Sequence, residues 1–465
     1  MTTKYKIESS SFRDPSGTVF YKNEEIYRQI NLEYKENYEF LMDSGLYQKL
    51  VDLKLLISHD EVSITPYDEK KSYKIIKPQT IPFISYPYEW SFSQLRQAAL
   101  TTLEIQKIAI NQGMILKDCS AYNIQFFEGN AILVDSLSFE KYEEGQLWKG
   151  YKQFCEHFLA PLSLMSHKDI RLGQLLRIHL DGIPLDLTSN LLPTKTKTSF
   201  LLLSHIHAHA KSQKHYEDKD IKIKERKLGK NSLVGLVESL YTGIKKMKWE
   251  LKKTEWGAYY SDTNYSENAF LEKKKIIETL LEKIQPKEVW DLGGNVGIFS
   301  RLASNKNINT ICFDIDPVAI EKNYLQVKEN KDQKILPLLL DLTNPIPGIG
   351  WENKERASFM NRGPTDTIFA LALIHHLAIG NNLPLEKIAG FFHKICKNLI
   401  IEFIPKEDSQ VKRLLRTRKD IFALYDLEHF KENFGINFEF IESFNIPDSA
   451  RTIHYLKRID KNEIC

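Results

Sequence analysis

From about residue 255 to the end of the chain, short apolar, β-rich runs recur: VWDLGG, TICFDID, KILPLLLDL, TIFALALI and NLIIEFI. Between them lie stretches with apolar residues at helical spacing. FLEKKKIIETLLEKI precedes the first run, PVAIEKNYLQVKEN follows the second, and LEKIAGFFHKIC precedes the fifth. Continuous apolar strands separated by helical crossovers predict a parallel sheet covered on both faces. Two further runs, INFEFIES and RTIHYLKR, predict a closing hairpin and a total of seven strands.

Upstream the pattern changes. Residues 1–205 are rich in aromatics and mix short strand-like runs with amphipathic helices, an α+β reading. Residues 206–254 are lysine-heavy with little apolar periodicity, which predicts a charged helix or linker. A chain of 465 residues is too long for one ordinary core. The expected organisation is therefore an N-terminal domain over 1–205, a charged segment over 206–254 and an α/β domain over 255–465.

Charge adds little, because 64 basic residues stand against 61 acidic ones. That balance gives no support to a nucleic-acid partner. The five cysteines are scattered with no C-x-x-C pair, which fits reduced thiols and no zinc or disulfide framework. The start, MTTKYKIESSSFRDP, has no signal-peptide core, and no apolar run approaches the roughly 18 residues of a membrane helix. A cytoplasmic protein is the expectation. His205, His207 and His209 alternate, but no carboxylate or cysteine stands at ligand spacing, so they read as structural.

Chemistry concentrates at Val289 to Gly297. An apolar strand runs into Gly293-Gly294-Asn295-Val296-Gly297, and the helical stretch IFSRLAS follows at once. Such a turn lets the backbone approach a ligand, and a helix N-terminus favours negative charge. A dinucleotide fingerprint starting at Gly293 would need glycine at 295 and 298, where this chain has Asn295 and Ile298. Asp314 ends the second strand about 20 residues after the turn, the place for a carboxylate on ribose hydroxyls, and Asp316 is its rival.

The segment resembles motif I of class I S-adenosylmethionine-dependent methyltransferases, D-x-G-x-G-x-G, with Asn295 replacing the middle glycine. Asparagine tolerates the left-handed backbone that such a position needs. The resemblance covers about 180 residues and implies a Rossmann-like seven-stranded domain that binds S-adenosyl-L-methionine. It implies that Asp291 pairs with the cofactor's amino group and that Asp341-Leu342 lie beside the adenine. It also implies that Leu371 to His376, with Leu373 among them, face the sulfonium and acceptor. His376 and Glu402 are the candidate catalytic bases for a hydroxyl or amine acceptor. Trp256, Tyr259, Tyr260 and Tyr265 are candidates for a lid or for ordinary packing.

Residues 113–139, GMILKDCSAYNIQFFEGNAILVDSLSF, hold Asp118, Asn123 and Asp135 around a predicted hairpin. This resembles the catalytic loop of protein-kinase-like and aminoglycoside-phosphotransferase-like proteins. The resemblance implies Asp118 as base, Asn123 and Asp135 as magnesium ligands, and ATP as cofactor. The chain departs from that pattern at Lys117 and at Ser136-Leu137. It shows no glycine-rich phosphate loop beyond Ser16-Gly17, and Lys74 and Lys77 are the only phosphate-lysine candidates. A kinase-derived scaffold used for binding fits these departures better than an active kinase.

SYPYEW, LKDCSAYNIQF and W-x-x-Y-x-x-F-C ahead of the methyltransferase-like half are together similar to rhizobial nodulation-type methyltransferases. The expected function is methyl transfer to a small-molecule or glycan hydroxyl acceptor, selected by the N-terminal domain. The alternatives are a bifunctional kinase–methyltransferase and a non-catalytic cofactor-binding scaffold.

Overall fold

A computed structural model describes residues 5–211, 228–251, 266–416 and 418–460. The aromatic residues 256, 259, 260 and 265, named above as lid candidates, lie outside them. The chain divides into two compact units. One comprises residues 1–250 with Gly350–Arg356, the other residues 251–349 with 357–465. Among the described residues no helix is long and apolar enough to cross a membrane.

In the first unit a five-stranded antiparallel sheet has the order β1-β2-β3-β5-β4. Its strands are β1 (Lys6–Ile7), β2 (Gly17–Lys22), β3 (Glu25–Asn31), β4 (His59–Glu61) and β5 (Ser72–Pro78). The long helix Phe92–Asn111 starts at Ser91, whose hydroxyl accepts from the Gln94 N–H while the Gln94 side chain reaches back to the Ser91 N–H. Two short pairs follow: β6 (Met114–Leu116) with β9 (Phe139–Lys141), and the hairpin β7 (Ile124–Phe127) with β8 (Asn130–Leu133).

Within the lysine-rich stretch the expected charged helix has a buried apolar face. Helix Lys230–Lys246 buries Leu233, Val237, Leu240 and Ile244 at three- and four-residue spacing and packs on helix Phe92–Asn111. It belongs to the first unit. His205 and His207 are buried against hydroxyls: Tyr151 for the first, Ser189 and Thr196 for the second.

The second unit is built on β10 (Glu288–Leu292), β11 (Asn309–Asp314), β12 (Ile335–Leu339), β13 (Thr365–Ala370), β14 (Cys396–Phe403), β15 (Phe438–Asn445) and β16 (Thr452–Arg458). These form one seven-stranded sheet in the order β12-β11-β10-β13-β14-β16-β15. The first five strands run parallel, and β16 is antiparallel to both β14 and β15. The order reverses at β10, which has β11 on one side and β13 on the other, each reached by a crossover. In open α/β sheets such a switch point leaves a crevice at the carboxyl ends of the strands. Trp290, Phe313 and Phe359 pack edge-on or tilted at 5.2–5.8 Å between ring centroids. Helix Glu267–Ile284 is capped by the Ser266 hydroxyl and covers a sheet face with Ile276, Ile277, Leu280 and Leu281. Each such side chain contributes about 1.5–3 kcal/mol by leaving water.

Candidate active site

β10 ends in the glycine turn. The Gly293 and Gly294 N–H groups both donate to the Phe313 carbonyl, tying the turn to the end of β11. A Cβ on Gly294 would stand 2.6 Å from both Asp291 Oδ2 and Cys312 Sγ, so no larger residue fits without moving the carboxylate. Asn295 takes φ +51°, the left-handed conformation expected of the residue replacing the motif's middle glycine. Its N–H donates to Asp314 Oδ2 at 2.9 Å, while Asp314 Oδ1 accepts from the Asp316 N–H at 2.8 Å. Asp291 Oδ2 accepts from the Ser300 hydroxyl at 2.6 Å.

These groups open onto a cavity of about 270 Å³. Asp291, Gly293, Gly294, Asn295, Asp314, Asp341, Leu342, Leu373 and His376 all line it. Burial dominates the electrostatics. It raises the Asp291 carboxyl to about 6 against the pull of Ser300 and Lys273. It raises Asp314 to about 6 against the backbone N–H groups of Asp316 and Asn295. The same desolvation lowers His376 to about 4, which leaves a neutral imidazole at pH 7. Asp341 is fixed by the Thr343 N–H and hydroxyl.

Three expected residues stand elsewhere. Gly297 is in the left-handed turn that starts helix Ile298–Ser304, away from the cavity wall. Asp316, the rival reading for the ribose, caps helix Pro317–Asn330, its Oδ1 accepting from the Val318 N–H at 2.8 Å. Glu402, expected as a base, is fully buried behind the wall. Its Oε2 pairs with Lys273 Nζ at 2.7 Å and accepts from the Ala372 N–H at 2.8 Å, and Arg451 stands 3.6 Å from Oε1. This carboxylate holds Ala372, at φ +51°, in the loop after β13.

Lys273 is the residue that the sequence reading missed. It lines the cavity, is 2% exposed, and stands with its ammonium 4.7 Å over the Phe299 ring. The signal was present: in FLEKKKIIETLL it interrupts the apolar stripe formed by Ala269, Ile276, Ile277 and Leu280.

In the first unit the hairpin brings Asp118, Asn123 and Asp135 toward one end, but with other partners than a metal. Asp135 Oδ1 accepts from Arg28 Nη1 at 2.5 Å and from the Leu137 N–H at 2.8 Å. Arg28 also reaches Asp14 at 3.3 Å. A guanidinium thus occupies one oxygen of Asp135, the residue read as a magnesium ligand of an active kinase-like site. Asn123 donates to the Ser138 hydroxyl, and Asp118 accepts from the Ser120 N–H. Lys74 and Lys77 are paired with Glu61 and Glu25. Among the described residues no group of three or more His, Cys, Asp or Glu could hold a metal ion.

Among curated proteins, nodulation protein NoeA of Rhizobium meliloti (strain 1021) is 35% identical over 460 residues, spanning 97% of this chain and 96% of that one. The chain belongs to the NoeA family. NoeA-type identity thus extends through both units, not the α/β unit alone. No family sequence model matches the chain. Solved structures with a partial likeness include WbdD, described as a bifunctional kinase–methyltransferase, at 15% identity and a TM-score of 0.30. That match covers 45% of this chain and 43% of WbdD, less than half of each. Magnesium protoporphyrin IX methyltransferase of Synechocystis PCC 6803 matches at 13% identity and a TM-score of 0.30, over 44% of this chain and 90% of its own. At such scores neither likeness bears on what this chain does.

Proposed function

We propose that the second unit of this NoeA-family chain is an S-adenosyl-L-methionine-dependent methyltransferase. One observation carries the reading: Asp291, next to the end of β10, and Asp314, at the end of the adjacent parallel β11, line one cavity beside the glycine turn. When bound there, the cofactor supplies a methyl group on a sulfonium. Asp314 accepts from the ribose hydroxyls, Asp341 and Leu342 border the adenine, and Asp291 faces the amino group. The segment from Leu371 to His376 borders the acceptor. In-line transfer needs alignment above all, and a loop fixed by Glu402 through Ala372 supplies a rigid wall for it. His376, neutral at pH 7, accepts the proton of a hydroxyl acceptor. That the acceptor is a glycan or another hydroxyl compound rests on the resemblance to nodulation-type methyltransferases, and the first unit selects it. The ion pair on Asp135 favours a binding scaffold there over a magnesium–ATP site.

Calorimetric titration of the whole protein with S-adenosylhomocysteine tests the reading. Micromolar binding that Asp314→Ala removes is the expected result. A folded wild type that binds NAD, or neither ligand, would overturn it.

A further inference from the structure

Lys273 and Asp291 put opposite charges on one wall of the cavity. Each is fixed from behind by groups of the unit itself. Asp291 is held by the Ser300 hydroxyl, and Lys273 by Glu402, which is anchored in turn by the Ala372 N–H. Glu402 is shared with Arg451, and Arg451 is bound by Asp408 at 2.8 and 3.1 Å. The four residues Lys273, Arg451, Glu402 and Asp408 therefore balance in formal charge. Of them only Lys273 reaches the cavity surface. An ammonium in the apolar stripe of helix Glu267–Ile284 forfeits hydration that a leucine there would not need. The Glu402 pair alone does not require its position on the wall, since a buried pair can be sealed behind one.

We infer that Lys273 is the anchor for the α-carboxylate of the cofactor's amino-acid tail, so that Lys273 and Asp291 together read a zwitterion. The pairing is directional: the tail's carboxylate goes to Lys273 and its ammonium to Asp291. This sets the rotation of the tail about the sulfur and thereby the direction in which the methyl group points. The inference rests on the methyltransferase reading above and adds a ligand-selecting residue to it.

The test compares three ligands by calorimetry on the full chain: S-adenosylhomocysteine, its α-carboxamide, and 5′-methylthioadenosine, which has no amino-acid tail. Wild type is expected to prefer the acid over the carboxamide by about 10- to 100-fold, the range of one charged hydrogen bond. Lys273→Met is expected to abolish that preference while leaving 5′-methylthioadenosine within about threefold, the change from one lost charged contact being confined to the tail. Equal weakening of all three ligands would make Lys273 a structural residue only and overturn the inference. So would an unchanged preference for the acid. If Lys273→Met does not fold, the charge-balanced pair Lys273→Met/Glu402→Gln carries the same comparison. A wild type that binds 5′-methylthioadenosine but does not distinguish acid from amide defeats this inference alone. One that binds none of the three defeats the methyltransferase reading with it.

Discussion

Two aspartates, one in each unit, follow a β-strand and are fixed by short hydrogen bonds, yet they are fixed by different kinds of donor. Asp314, at the end of β11, is held by the N–H groups of Asn295 and Asp316. Asp135, just beyond β8, is held by the Leu137 N–H and by the guanidinium of Arg28. Backbone donors orient a carboxylate without cancelling its charge, so Asp314 still has an ionic demand that a ligand can meet. A guanidinium orients and neutralises together, so Asp135 has already met its own. The same side chain makes an open site in one unit and a closed one in the other.

The largest expected effect probes a second ion pair, deeper than that of Arg28 with Asp135. Glu402→Ala leaves Lys273 and Arg451 in the core without their shared carboxylate and should cost about 3–5 kcal/mol. Scanning calorimetry should show this as a loss confined to the second unit's transition. A shift worth under about 1 kcal/mol would mean that water reaches Lys273 far better than its 3% side-chain exposure allows. Asp314→Ala comes next, with S-adenosylhomocysteine affinity falling about 10- to 100-fold through the loss of charged hydrogen bonds. Asp135→Ala should leave that affinity untouched and destabilise the first unit by about 1–2 kcal/mol, because Arg28 keeps Asp14 as a partner. If Asp135→Ala weakened cofactor binding as much as Asp314→Ala, the distinction between open and closed sites would fail.

Much of this contrast was legible beforehand, and the remainder fails for identifiable reasons. Strand patterns in the C-terminal half are continuous apolar runs, and they placed β10 to β14 and the final antiparallel pair within a few residues. That Asp291, Asn295 and Asp314 line one cavity could be read because they stand at fixed offsets from a glycine turn, where local backbone geometry brings them together. Glu402 could not, since its partners Lys273 and Arg451 are 129 and 49 positions away and only the folded sheet brings them together. The Arg28–Asp135 pair, 107 residues apart, was hidden in the same way. Asp316 carries two readings because a helix cap and a ribose ligand call for the same residue type at nearly the same place. A charged helix was one reading of the lysine-rich stretch, but the lysines around it masked the buried face that Leu233, Val237, Leu240 and Ile244 give helix Lys230–Lys246.

pH gives a finer test. Burial raises Asp291 and Asp314 to about 6, so both are largely protonated in the unliganded protein at pH 5. A ligand that donates to the ionised forms should bind best above about pH 7 and lose up to tenfold per unit for each carboxylate as the pH falls through 6. Stability of the unliganded protein should move the other way. The folded acids hold protons more tightly than the unfolded ones, whose value is near 3.9. Their stabilising contribution is therefore full below about pH 4 and lost as the pH rises through 6. Affinity that stays flat between about pH 5 and 7.5 would show that a neutral carboxyl suffices at both positions. The smallest expected effect is an absence. Millimolar ATP with magnesium should move the first unit's melting temperature by less than about 1 °C, the result for a ligand far below its dissociation constant. A clear shift would mean that Arg28 yields its place to a metal.

β16 is the last strand of the described chain but an interior strand of its sheet, lying between β14 and β15. It also follows Arg451, which secures Glu402 and Asp408. During synthesis, then, β10 to β14 can emerge and pair while β15 has nowhere to join. The sheet closes, and the loop at Ala372 gains its full set of supports, only after Arg458 has left the ribosome. A chain that lacked β16 alone would leave a gap between β14 and β15, and β15 would have no strand to pair with. Formation of this site thereby waits on the most C-terminal of the described strands taking an interior place in its sheet.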